Sequence, residues 1–351
     1  MTLCFSSLAV LAPAAASLAA PPPEPALVPQ AAPQIAYAPV LDTEGQAQLA
    51  SPSPSPAPRQ APVERALAPL GAVNAMADDG LRIGKIDLLQ GGKLLLTNGV
   101  STVEGSSGGG LARWATIGGR EMPGGMGISA HATAIELPDF GWRSYGALLG
   151  LGDRLELSIA RADFDTRDAG ALLGIGQGYT FNLDTFGAKL RVAGDLVYGD
   201  TLLPQIALGI EHKRSSDGAL VRALGAAEAS GTDYTLSATK LLLAQSLLVN
   251  ATLRYTKANE LGLLGFGSAT RGYQLHFEGS LGYQLSRRAV IGAEYRSKPD
   301  NLGLGDDDWM DIFAAYALTP HLTLTAAYVD LGSIATFSNQ RGGFLSAQVA
   351  F

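Results

Sequence analysis

From about residue 127 onward, apolar and polar residues alternate with a period of two. Tyr273, Leu275, Phe277, Leu281 and Tyr283 interleave with Gln274, His276, Glu278, Ser280 and Gln284. Val249, Ala251, Leu253 and Tyr255 interleave with Asn250, Thr252, Arg254 and Thr256. Phe186, Ala188, Leu190 and Val192 do so with Gly187, Lys189 and Arg191, and Leu345, Ala347, Val349 and Phe351 with Ser346 and Gln348. An extended chain sends successive side chains to opposite faces, so each run reads as a strand with one apolar and one polar face. Twelve strands are expected, near 127–136, 140–150, 154–163, 184–194, 203–213, 232–242, 246–257, 271–284, 287–297, 309–318, 321–330 and 342–351. If 93–103 and 110–118 also cross, the count is fourteen.

Alternation alone also suits a soluble sandwich with one wet face. Three features favour a membrane. The runs are about ten residues long, the span a tilted strand needs to cross a bilayer, whereas soluble strands average about five or six. Connections alternate in length. Those at 164–183, 214–231, 258–270, 298–308 and 331–341 are long; those near Gly152-Asp153, Gln245, Ser286 and Thr319-Pro320 are short. Long extracellular loops and short periplasmic turns alternate in this way. Aromatic residues also fall at strand ends. Tyr234, Tyr255, Tyr273, Tyr295 and Tyr328 are expected at the outer rim; Tyr283, Tyr316 and Phe351 are expected at the periplasmic rim. Such rings mark the lipid–water boundary. The fold expected is therefore all-β, a transmembrane antiparallel up-and-down barrel. Phe351 ends the last strand as an assembly signal for the barrel-assembly machinery.

Composition changes the picture in three places. No stretch of about 20 residues is apolar enough for a membrane helix, so a spanning chain must close into a barrel. The charge of −7 argues against nucleic acid as a partner. Residues 1–20 read as a signal peptide, with an apolar core at Leu8 to Ala12 and small residues from Ala14 to Ala20, although no Lys or Arg precedes the core. Cleavage would remove Cys4, the single cysteine, and with it any disulfide. Thirteen of the 19 prolines lie between Pro21 and Pro69, so 21–80 reads as a Pro/Ala-rich disordered linker. Residues 81–126 form a glycine-rich segment, either a plug or the first strands, and 127–351 the barrel.

The run Gly92-Lys-Leu-Leu-Leu-Thr-Asn-Gly-Val-Ser-Thr-Val-Glu-Gly-Ser-Ser-Gly-Gly-Gly-Leu111 resembles the opening of a proteobacterial family catalogued as domain of unknown function 3034. Gly152-Asp-Arg-Leu-Glu-Leu-Ser158 with Phe164-Asp-Thr166, Lys298-Pro-Asp-Asn-Leu-Gly303, Asp307-Asp-Trp309 and Tyr328-Val-Asp-Leu-Gly-Ser-Ile-Ala335 resemble it too. The likeness runs from about residue 84 to the C-terminus. It implies a setting in the bacterial envelope and supplies no activity.

Candidate chemistry is sparse. None of the four histidines forms a spaced pair suited to zinc. Ser129 and His131 share a strand face, within reach of a hydrogen bond, but no third orienting group or Gly-x-Ser-x-Gly elbow accompanies them. Gly174-Ile-Gly176-Gln-Gly178 lacks the strand–turn–helix frame of a nucleotide loop. Asp306, Asp307 and Asp308, with Asp300 and Asp311 nearby, are a weak candidate for a divalent cation and read better as a solvated acidic loop. Charges expected in the lumen are Glu156, Lys189, Arg191, Glu211, Lys213, Arg254, Glu278, Glu294, Arg296 and Asp311. They suit either a salt-bridged packed interior or a wet pore lined by both signs. Keeping parity, one register puts Glu278 opposite Glu294 and another puts it opposite Arg296; charge favours the second.

The function expected is a narrow passive pore for small hydrophilic solutes in the outer membrane of a Gram-negative bacterium. The alternatives are a structural or surface-interaction barrel with a plugged lumen, and a rim hydrolase acting on lipid. No catalytic residue or cofactor is expected. The partners expected are outer-membrane lipid, lipopolysaccharide and the barrel-assembly machinery.

Overall fold

The computed structural model describes residues 82–83, 86–87, 93–121, 124–197 and 202–351. The signal peptide and the whole linker inferred above lie outside the described residues.

Twelve antiparallel strands close into a barrel. They are β1 (Met126–Glu136), β2 (Gly141–Leu151), β3 (Leu155–Asp165), β4 (Thr180–Ala193), β5 (Gln205–Ser215) and β6 (Ser230–Leu242). They continue as β7 (Leu247–Thr256), β8 (Gln274–Ser286), β9 (Ala289–Arg296), β10 (Trp309–Ala317), β11 (Leu322–Asp330) and β12 (Arg341–Ala350). Each pairs with its neighbour in sequence, and β12 pairs with β1 to leave no free edge. Closure places every backbone polar group of the wall in a ladder, which lipid demands.

Period-two patterning becomes a radial division. Leu157, Ile159, Phe186, Leu190, Leu208, Leu253, Phe277 and Leu281 face outward and are exposed. Their neighbours Glu156, Ser158, Lys189, Thr252, Arg254, Glu278 and Ser280 are buried inside. An apolar skin around a polar interior is the arrangement of a barrel solvated by lipid. The register between β8 and β9 puts Glu278 opposite Arg296.

Two departures from the sequence reading have physical causes. Strand β4 begins at Thr180 rather than near 184, because Phe181 and Leu183 point inward and bury in an apolar cluster at the long-loop end. Residues 93–118 add no thirteenth or fourteenth strand. With β12 paired to β1, the wall offers them no partner. They carry a short pairing of Val100–Ser101 with Ser107–Gly108 and one isolated bridge between Gly108 and Arg113.

Candidate functional site

Residues 97–121 occupy the lumen. Nearly all are buried, among them Val103, Glu104, Leu111, Arg113, Trp114 and Ile117. Irregular backbone this deep needs partners for its N–H and C=O groups, and the inward side chains of the wall supply them. Glu294 accepts from the Leu111 N–H at 2.8 Å, and Glu278 from the Arg113 N–H at 2.9 Å. Glu156 accepts from the N–H groups of Ser107 and Gly118 at 3.1 and 2.7 Å. Lys189 donates to the carbonyls of Ser107 and Thr116, Gln205 to that of Ala115, and Asn250 and Thr252 to that of Arg113. The Trp114 indole N–H reaches Ser280 Oγ at 2.9 Å.

Glycine is required where the segment meets the wall most closely. A Cβ at Gly109 would lie 1.9 Å from the Glu294 carboxylate. Gly105 has φ +94°, and a Cβ there would lie 2.7 Å from that of Ala160.

At the centre the segment contributes one acid and one base to a buried ionic network. Glu104 contacts Arg113 at 2.7 Å, Arg296 at 2.6 Å, and Lys213. Arg113 also pairs with Glu211, its Nε reaching Oε1 at 2.8 Å. Lys213 bridges to Asp233 at 2.5 Å, and Glu278 to Arg254 at 2.6 Å and Arg296 at 3.4 Å. Four carboxylates thus face four cations, all nearly sealed from solvent. A smaller pair, Glu156–Lys189, closes at 3.1 Å. Towards the short-turn end Lys93 binds Glu121 at 3.0 Å and Asp153 at 2.9 Å, and Asp153 also binds Arg191.

The network unites six of the expected lumen charges: Lys213, Arg254, Glu211, Glu278, Arg296 and, through hydrogen bonds to the segment, Glu294. Glu156 and Lys189 form their own pair. Arg191 lies at the short-turn end. Asp311 is buried opposite Glu294 in the β9–β10 register. Sequence reasoning missed Glu104, Arg113 and Asp233. Asp233 shares its face with Thr235, Ser237 and Thr239, so parity alone would have found it.

The other singled-out residues are dispersed. Tyr234, Tyr255, Tyr283, Tyr295, Tyr316 and Tyr328 are exposed on the outward face. Tyr273 stacks on Tyr255 at 4.8 Å and donates to the Thr232 carbonyl. Phe351 stacks on His321 at 4.9 Å, and its backbone exchanges hydrogen bonds with Ile128 across the closing seam. Its carbonyl also accepts from the Arg120 N–H of the lumen segment. Ser129 bonds to Gln348 and His131 approaches Ser144, so the structure does not join Ser129 to His131. Asp307 accepts from Ser333, and Asp308 from Tyr295 and the Lys298 N–H. Asp306 lies against the Glu260 carboxylate. These three carboxylates therefore face different partners, and no metal-holding group of three occurs among the described residues.

Beyond the strands, the long loops fold together over the barrel end. Phe140, Phe164, Phe181, Leu263, Leu264, Phe266 and Ile334 form one apolar cluster. Glu260 lies within it, 2% exposed, and pairs with Lys298 at 2.6 Å. Burial and the neighbouring Glu260 carboxylate push Asp306 up to about 8, with Asp300 adding to the rise and Lys298 opposing it. At neutral pH Asp306 therefore holds its proton beside the Glu260 carboxylate. The ordinary value is 3.8. Between about pH 4 and pH 8 the folded chain binds the extra proton, so this contribution to stability falls as pH rises through that window. Protease cleavage in the long loops should be slower near pH 5.5 than near pH 8.5. Asp306→Asn should flatten that dependence; an unchanged pH profile in the variant would reject the assignment.

A closed antiparallel barrel, apolar outside and polar inside, is a transmembrane barrel of the outer-membrane type. The chain belongs to the family described as Protein of unknown function (DUF3034), whose model matches residues 97–348 and so takes in the lumen segment as well as the strands. No curated protein matches the chain. Among solved structures it is similar to a KdgM porin, at 12% identity and a TM-score of 0.40, over 64% of this chain and 99% of that one. A NanC porin matches at 13% identity and a TM-score of 0.40, over 64% and 98%. The outer membrane phospholipase A of Escherichia coli matches at 10% identity and a TM-score of 0.35, over 64% and 92%.

Proposed function

We propose that this protein is an outer-membrane barrel plugged at rest: a pore architecture whose passage for small hydrophilic solutes is filled by its own residues 97–121. The observation that carries this reading is the bonding of that segment to inward side chains of eight consecutive strands, β2 to β9, centred on the network around Glu104 and Arg113. The polar inner faces support the second half of it, since a lumen lined by Thr, Ser, Asn and charges would fill with water if the segment left. The loop cluster closes the same end again. The reading includes no catalysis. Its partners are the lipids of a Gram-negative outer membrane, lipopolysaccharide and the barrel-assembly machinery.

Planar-bilayer recording of the full chain should show no steady conductance at low voltage. Ohmic unitary openings in the unmodified protein would overturn the plugged reading. Orientation is tested separately: cysteines placed at Ser216, Ser268 and Asn339 should label on intact cells with an impermeant reagent. Labelling at Gln245 or Thr319 instead would invert the topology.

A further inference from the structure

The loop cluster is not fully packed. It holds a cavity of about 110 Å³ with almost wholly apolar walls. Phe140, Trp142, Phe164, Phe181, Leu263 and Leu264 form its depth, all nearly inaccessible to solvent. Leu224, Leu302, Ala335 and Thr336 stand at its more exposed rim. An apolar cavity of this kind stays dry, and one of roughly 150 Å³ admits benzene.

Its walls favour a ring. Phe140 stacks on Phe164 with centroids 5.0 Å apart, and Trp142 meets Phe164 edge-on at 5.7 Å. A further ring can extend this array in the offset and edge-on geometries that aromatic groups prefer. Charge is excluded. Glu260 is the single ionisable group in the lining, and Lys298 neutralises it through Oε1 at 2.6 Å. Two buried polar atoms of the lining residues remain without a partner among the described residues, and one is Glu260 Oε2. The Trp142 indole N–H, on a side chain 1% exposed, has no acceptor among the described residues, and leaving such a donor unpaired is costly.

The backbone supplies an independent observation. Glu260, Leu261, Ala335 and Thr336 all take positive φ without being glycine, at 43°, 62°, 47° and 76°. Three of the four line the cavity, and Leu261 adjoins them. Strained backbone of this sort collects at ligand clamps. We propose that this cavity binds a small, uncharged, single-ring aromatic molecule carrying at most one hydrogen-bond acceptor and one donor. The inference does not depend on whether the lumen opens.

The test uses the full chain in lipid nanodiscs, since detergent tails would compete for the site. Fluorobenzene is titrated and followed by fluorine NMR. The protein should give a saturable component above the linear partition into lipid. Leu263→Trp fills the depth of the cavity, and Leu224→Trp covers its rim from a partly exposed position. Each should weaken the saturable component by about tenfold or more. Leu172→Trp, on an exposed side chain outside the cavity, should leave it intact. If Leu263→Trp fails the heat-shift test for folding, Leu224→Trp decides alone. Purely linear partition in the parent, or a saturable component unaltered in the folded filling variants, would overturn the proposal.

Discussion

Replacing Glu104 with Gln should cost about 3–5 kcal/mol of barrel stability, the usual penalty for stranding a buried charge. Glu104 is 2% exposed and its two oxygens serve Arg113, Arg296 and Lys213. The amide keeps the shape and removes the charge, so three cations lose a shared counter-ion where water cannot replace it. The measurement is the urea midpoint of the refolded chain in lipid. Glu136→Gln supplies the contrast. Its partner is Arg167, but the Glu136 side chain is 61% exposed. That pair should be worth no more than about 1 kcal/mol. Equal midpoints for the two variants would mean that the lumen is wet around Glu104.

The second large effect is electrical. Excising residues 97–121 with a short polar replacement should convert a silent barrel into a steadily conducting one. The excision removes one acid and one base of the central network. The wall then keeps Glu156, Glu211, Asp233, Glu278, Glu294 and Asp311 against Lys189, Lys213, Arg254 and Arg296. Once hydrated, opposite charges at contact attract by only about 1 kcal/mol. The bore should therefore stay open, with a weak preference for cations. Reversal potentials in a salt gradient check the sign, and Glu278→Gln in the excised chain should move them towards anions. A folded excised chain that remains silent would show that the loop cluster, and not the lumen segment, sets the closure.

Much of this molecule was legible from its residues. All twelve strands were readable because a period of two, held for about ten residues, has few other physical explanations. The Glu278–Arg296 register was readable because parity leaves few choices and charge selects among them. The lumen segment was legible only as a glycine-rich run of two possible fates. Its partners are distant: the Arg296 side chain donates to the Leu111 carbonyl 185 residues away. Glu104 and Arg113 sit in no periodic frame, so nothing local marks them as the hub. The apolar cavity was hidden for a similar reason. Phe140, Leu263 and Ile334 come from three separate connections and Phe181 from the start of β4, and only the closed barrel brings them together.

The contact between Arg120 and Phe351 bears on the order of assembly. The lumen segment immediately precedes β1, and β12 ends at Phe351, so the last seam to be zipped joins the two ends of the barrel domain. Arg120 donates to Phe351 at that seam, and its segment is already bonded to β4, β7, β8 and β9. A chain that sealed β12 to β1 first would have to thread some 25 residues into a finished cylinder, past an end roofed by loops. The geometry instead suits a sheet that curls around a resident strand of polypeptide and locks it in with the final turn of the wall. Contacts of such long sequence separation make for slow maturation. The species that precedes closure is therefore an open-seamed sheet with the lumen segment already in place.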